Sequence, residues 1–297
     1  MQLTLGINTG FALNRYPQPE VWGRIVGELG VKSVQLTASL IDPFWEEQYI
    51  RDLVRRIREA SLRYGFRVES IFTDAYTRVN HLLHPDAQAR ELWERWFERL
   101  FEIGAELGAA AGGSHFGILS FRDYLNEEKR KRMTELGISA WQRLAARAAS
   151  LGYSFLFIEP MSIPREFANT VAETEYLLEG LNAGSALPFY ACLDVGHAPH
   201  PDERDCYKWL LALGARSPII HLQQTSLGTS NHWPFTEEYN QKGYIEGKRV
   251  LDCLEQAGCE KATLVLELSH REHWDTDFRV VEDHEASVKY WRQFVKE

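Results

Sequence analysis

Eight times over, a short apolar or β-branched run is followed by a longer segment of helical periodicity, and few folds accommodate that alternation. The runs cover residues 3–8, 31–36, 66–72, 109–115, 155–159, 189–194, 219–223 and 262–267. Helices are expected over 19–30, 44–64, 86–107, 126–150, 169–182, 205–213 and 247–257, with a closing helix over 280–295. A long polar loop is expected over 225–242. The third helix is the clearest. Leu92, Trp93, Trp96, Phe97, Leu100, Phe101 and Gly104 recur three and four residues apart, as on a helix laid against a sheet. Regular strand–helix alternation means a parallel sheet. Eight units in 297 residues suit a closed (β/α)8 TIM barrel better than an open doubly wound sheet. No G-x-G-x-x-G follows the first strand, so a dinucleotide fold has little support. No Pro-, Gly- or Ser-rich linker divides the chain, and one domain spanning 1–297 is expected.

Composition narrows the function classes. A net charge of −9 argues against a nucleic-acid partner, since such proteins carry a basic patch. The four cysteines, Cys192, Cys206, Cys253 and Cys259, form no C-x-x-C pair, which argues against a zinc ribbon or dithiol motif. They read as free thiols. No apolar stretch approaches bilayer length, and no basic segment followed by an apolar run precedes the first strand. The expectation is a cytoplasmic protein with no membrane partner.

In a parallel barrel the carboxyl ends of the strands share one face, where active sites lie. Glu159, Asp194, Gln223 and Glu267 end strands five to eight, at separations of 35, 29 and 44 residues by subtraction of their numbers. An ionised carboxylate ending an apolar strand is costly without a compensating charge. Three carboxylates and an amide converging there form a hard, oxygen-rich set suited to a divalent cation. Of the ten histidines, nine fall at or just after an expected strand end: His81, His84, His115, His197, His200, His221, His232, His270 and His273. Such a rim suits a polar, sugar-like ligand or further metal contacts. The Gly- and Ala-rich fourth strand suggests that something approaches its backbone closely.

The segments Ile158-Glu159-Pro160-Met161, Leu193-Asp194-Val195-Gly196-His197, His221-Leu222-Gln223 and Leu266-Glu267-Leu268 resemble the strand-end motifs of the xylose-isomerase-like TIM barrels, the sugar isomerase and epimerase superfamily. Residues 6–11, 77–81 and 113–117 also resemble a subgroup that includes tetrulose-phosphate epimerases. The resemblance implies a metal-dependent sugar or sugar-phosphate isomerase or epimerase. The leading expectation is C3 epimerisation of a small ketose or ketose phosphate, such as erythrulose phosphate. The alternatives are an aldose–ketose isomerase and an inosose-type dehydratase, then an endonuclease-IV-like phosphodiesterase or a non-catalytic sugar-binding barrel. By the same resemblance, Glu159, Asp194, Gln223 and Glu267 bind one Mn2+ or Mg2+, with Co2+ as a third candidate. Gln223 stands where the family usually has His. Glu159 and Glu267 are the implied proton-transfer pair. His197 and Glu166 are implied substrate contacts. His115, His232 and Arg271 join them on this chain's own rim, where the loops after strands seven and eight also offer Ser226, Thr229, Ser230, Asn231 and His270 to a phosphate, and Trp233 and Trp274 as covers for a sugar. Relatives are dimers or tetramers, so a homodimer or homotetramer is implied.

Overall fold

The strand–helix alternation closes into a ring. In the computed structural model, which describes residues 1–74, 77–198, 200–272 and 275–295, the strands pair in the order β1 to β8, with β8 returning to β1. They are β1 Gln2–Asn8, β2 Ser33–Thr37, β3 Arg67–Phe72, β4 Ala111–His115, β5 Phe155–Glu159, β6 Phe189–Asp194, β7 Ile219–Leu222 and β8 Lys261–Leu266. All eight pairings are parallel.

The helices form where the pattern placed them. They are α1 Pro19–Glu28, α2 Glu47–Tyr64, α3 Ala87–Leu107, α4 Phe121–Tyr124, α5 Glu127–Ser150, α6 Val171–Asn182, α7 Cys206–Leu213, α8 Glu237–Lys242, α9 Gly247–Gln256 and α10 Val280–Trp291. Side-chain caps fix several starts. Asp86, Asn126, Thr170 and Asp205 each accept a backbone N–H from the first turn of the helix they precede. Two short helices differ from expectation. α4 follows Ser120, whose side chain accepts the Asp123 N–H. α8 occupies the end of the loop expected to be irregular, where Thr236 caps a first turn carrying Glu237 and Glu238. The closing helix stops at Trp291, four residues early.

Side chains two residues apart on a strand share a face, so the barrel interior is layered. Phe157, Cys192, Ile219 and Val265, with Phe72 and Ala111, form a buried apolar plug. One strand repeat further on lie Glu159, Asp194, His221 and Glu267. The glycines of β4 make room on both faces of the strand, Gly113 for this plug and Gly112 for the outer core. A Cβ on Gly113 would sit 2.3 Å from the Phe157 ring, and one on Gly112 would sit 2.8 Å from Phe101. The close approach expected at β4 is therefore made by core aromatics. All four cysteines are buried free thiols. Among the described residues, no helix is long and apolar enough to cross a membrane.

Candidate active site

Lateral pairing sets the heights of the polar side chains at the mouth. Asn8 pairs with Gln35, His115 with Glu159, and Asp194 with His221. Above them opens a cavity of about 390 Å³, lined among others by Asn8, Thr73, His115, Glu159, His197, His232, Glu267, Ser269 and His270, with Arg15 and Arg78.

A chain of hydrogen bonds assigns the proton on His221. The Gly10 backbone N–H donates to Asn8 Oδ1 at 2.7 Å, so Asn8 must turn its Nδ2 outward. That nitrogen donates to Gln35 Oε1 at 2.9 Å. His221 Nε2 lies 2.9 Å from the same oxygen and therefore carries a proton and donates. The other ring nitrogen, Nδ1, sits 3.0 Å from Glu159 Oε1 and 3.0 Å from Glu267 Oε2. In neutral His221 that nitrogen would aim a lone pair at two carboxylates. A positive particle there relieves the clash, either a proton on Nδ1 or a cation.

The donor set fits a divalent cation on three further counts. Glu159, Asp194, His221 and Glu267 each offer a ligand atom, all within 4.8 Å of one another. Glu267 Oε2 and His197 Nδ1 are buried without a hydrogen-bond partner among the described residues. The outer nitrogen of His221 is anchored by a carbonyl, as ligating imidazoles commonly are. Without a cation the charges lean on one another. Burial lowers the pKa of His221, but the acidic groups Cys192, Glu267 and Glu159 outweigh it and push it well above the usual range. Burial, then the charge of Glu267, raises Glu159. Glu267 is also penalised by burial, yet His221, His232 and His197 bring it below the usual carboxylate range.

Gln223 reaches the cluster with the other end of its amide. His232 N–H donates to Gln223 Oε1 at 2.6 Å, which fixes the amide's orientation. Its Nε2 then donates to Asp194 at 2.8 and 3.0 Å. As it stands, Gln223 holds Asp194 in place, and the strand-seven atom among the carboxylates is His221 Nδ1. Gly196 makes room for this contact, because a Cβ there would sit 2.2 Å from Gln223 Cδ. Gly196 N–H also donates to Asp194 Oδ1 at 2.6 Å.

The remaining site candidates divide. His197 sits over the cluster, its Nδ1 3.4 Å from Glu159 and its Nε2 3.8 Å from Asp194. His232 lines the cavity, its Nδ1 3.0 Å from the Glu267 carbonyl. His115 lines the opposite wall, its Nε2 donating to the Val79 carbonyl at 3.2 Å. Burial lowers its pKa to about 4. Glu166 is fully buried beside the mouth, and both its oxygens are taken by Arg78. Arg271, expected as a substrate contact, is solvent-exposed and does not line the cavity. Ser226, Thr229 and Asn231 bond to one another in the loop after β7 and lie outside the lining. Trp233 stacks on Tyr239 at 5.2 Å and does not line the cavity. His273 and Trp274 lie outside the described residues. His81 belongs to the core, 4.3 Å from the His115 ring and edge-on to Phe97.

Reading the sequence missed Asn8, Gln35, Arg15 and Arg78. The strand-end rule that found the carboxylates also covers Asn8 and Gln35, which end or nearly end β1 and β2. They carry no charge, and only Asn8 fell within a segment, 6–11, that the resemblance had marked.

Comparison with known proteins agrees with this fold. Residues 24–293 match the model of the xylose isomerase-like TIM barrel family. The chain is 34% identical over 297 residues to a D-erythrulose 1-phosphate 3-epimerase of Brucella abortus, covering 98% of this chain and 96% of that protein. The crystal structure of a putative xylose isomerase from Rhodospirillum rubrum superposes with a TM-score of 0.88 at 28% identity, covering 98% of this chain and 99% of that one. A D-psicose 3-epimerase from Clostridium cellulolyticum, crystallised with D-tagatose, shares the fold across the full length of both chains, with a TM-score of 0.75 at 13% identity. With its closed eight-stranded barrel and this match over most of its length, the chain belongs to the xylose isomerase-like TIM barrel family.

Proposed function

We propose that this protein is a metal-dependent 3-epimerase of a small ketose 1-phosphate, with erythrulose 1-phosphate as the leading candidate. One observation carries the reading: Glu159 and Glu267 meet across His221, each 3.0 Å from its Nδ1, at the floor of a cavity of sugar size. Binding alone needs no such pair. Epimerisation at C3 does, because a proton leaves one face of the carbon and another arrives on the opposite face. One carboxylate takes the proton and the other supplies its replacement. His197, buried with no hydrogen-bond partner at Nδ1 among the described residues, would hold a substrate oxygen. The plug of Phe72 and Phe157 closes the barrel below and keeps water from the reacting carbon. Mn2+ or Mg2+ held by Glu159, Asp194, Glu267 and a strand-seven donor would supply Lewis acidity at the substrate oxygens. The relative named for erythrulose 1-phosphate epimerisation supports the substrate class. A cytoplasmic enzyme with a small-molecule partner, and a homodimer or homotetramer, accompanies the reading.

Strand seven offers two donors, one repeat apart. His221 Nδ1 is in reach as placed. Gln223 Oε1 reaches only after a half-turn that gives up the His232 N–H. Mn2+ titration separates them: His221→Asn loses about tenfold or more in affinity if His221 ligates, and Gln223→Leu suffers the larger loss if it does not. The reading itself is tested with erythrulose 1-phosphate in heavy water. One deuterium at C3 of the recovered ketose is expected, with activity lost to chelator and restored by Mn2+. Deuterium at C1 of a free ketose, whose C1 hydroxyl is unesterified, would instead make the enzyme an aldose–ketose isomerase. No exchange with any C4 to C6 ketose or ketose phosphate would sink the proposal.

A further inference from the structure

The cavity that would admit a phosphate ester is lined by Glu159, Glu267, Asp74 and Glu272, so a dianion needs a cation to meet it. Among the described residues, the strong bases in the lining are Arg15 and Arg78. Their settings differ. Arg15 donates Nε to Asp277 at 2.6 Å and Nη2 to the His270 carbonyl at 2.8 Å, and its side chain is 11% exposed. It ties the first βα loop to the last. Arg78 donates Nε and Nη2 side by side to the two oxygens of Glu166. Glu166 is fully buried, whereas the Arg78 side chain is 41% exposed. The carboxylate is hidden and the guanidinium faces the cavity. Arg78 Nη1 has no partner among the described residues. A guanidinium already locked by one bidentate pair loses little further freedom when it binds an anion.

Position selects between them. A 1-phosphate sits a few bonds from C3, so it must lie close to the carboxylates that work there. Arg78 is tied to that place through the backbone. The carbonyl of Val79, the next residue, accepts from His115 Nε2 at 3.2 Å, and His115 pairs laterally with Glu159. Glu159 also helps to raise the Arg78 pKa, after the larger contribution of Glu166. Arg15 is bonded instead to the loop after β8.

We infer that Arg78, oriented by Glu166, receives the phosphate of a ketose 1-phosphate and so makes the site selective for the ester over the free ketose. The inference rests on the epimerase reading for its substrate. Glu166 acts through Arg78, so it is a positioning residue.

The test compares kcat/KM for erythrulose 1-phosphate and for free erythrulose in the Mn2+-loaded full chain. Arg78→Met is expected to lower the ester-to-ketose ratio by about 30-fold, chiefly through KM for the ester. Arg78→Lys, which keeps the charge but not the fork, should fall in between. Glu166→Gln should lower the ratio less than Arg78→Met does. Equal losses on both substrates, or a selective loss with Arg15→Met and none with Arg78→Met, would overturn the assignment. A second readout survives failure of the epimerase reading or misfolding of the Met variant. Inorganic phosphate, titrated calorimetrically into the native chain and Arg78→Lys, should bind the variant at least about fivefold more weakly. Equal binding would overturn the assignment whatever the chemistry at C3.

Discussion

Four equally buried histidines around one barrel mouth are driven in opposite directions. His81 and His115, on the side of β1–β4, have their pKa lowered by burial, His115 to about 4. His197 and His221, on the side of β5–β8, suffer the same burial yet are raised, His197 by Asp194, Glu159 and Glu267 and His221 by Cys192, Glu267 and Glu159. Burial sets a common bias towards the neutral ring, and neighbouring acidic groups reverse it. The two halves therefore do different work. The β5–β8 half concentrates charge and wants a cation. The β1–β4 half supplies neutral donors and acceptors, Asn8 and Gln35 above all, that fix which nitrogen of His221 faces that charge. Where a carboxylate does enter the second half, as Glu166 does near His115, Arg78 neutralises it.

The largest expected effect tests the charged half. Glu267→Gln or Glu159→Gln should lower kcat by about 1,000-fold or more while the circular dichroism spectrum is preserved, since each replaces a proton-transfer group by an isostere. A near-normal rate in either variant would remove that residue from the chemistry. Next comes the neutral half. Gln35→Leu leaves His221 Nε2 without its acceptor and should cost about 10- to 100-fold in Mn2+ affinity or activity. Asn8→Ala acts through the same chain, so the double variant should be little worse than Gln35→Leu alone. Full additivity would break the relay.

Two smaller effects sharpen the contrast through stability. His115 is held near 4 in the folded protein against about 6.5 in an unfolded chain. The His115 contribution to stability should therefore be unaffected above pH 6.5 and decline as pH falls towards 4, because the unfolded state takes up the proton first. His115 alone contributes a loss of about 3 kcal/mol over that window, and His81 adds to it in the same direction. Denaturant melts at pH 7 and pH 4.5 read the difference, and His115→Asn should reduce it. Gly196→Ala should destabilise by about 1–3 kcal/mol, as its methyl drives into Gln223. Restored stability in Gly196→Ala combined with Gln223→Ala would place the clash there.

Much of this was legible in one dimension. The apolar runs and helix stripes placed all eight strands to within two residues, because the strand and helix periods are written directly into residue order. Glu159, Asp194 and Glu267 were legible too, since a carboxylate closing an apolar strand is conspicuous. The pairing of Arg78 with Glu166 was not. Their sequence neighbours say nothing of each other, and 88 positions separate the two residues that meet as an ion pair.

Strand seven marks the boundary between the two kinds of knowledge. The sequence determined the barrel and put His221 and Gln223 on one face of a strand, because that follows from a two-residue period. Which of them turns a donor atom towards the carboxylates depended on contacts no period encodes. The His232 backbone N–H captures the Gln223 carbonyl, and a Gly10 N–H, passed on through Asn8 and Gln35, orients His221. Hydrogen-bond direction is settled by partners brought in from other strands and loops, so only the closed barrel could decide it.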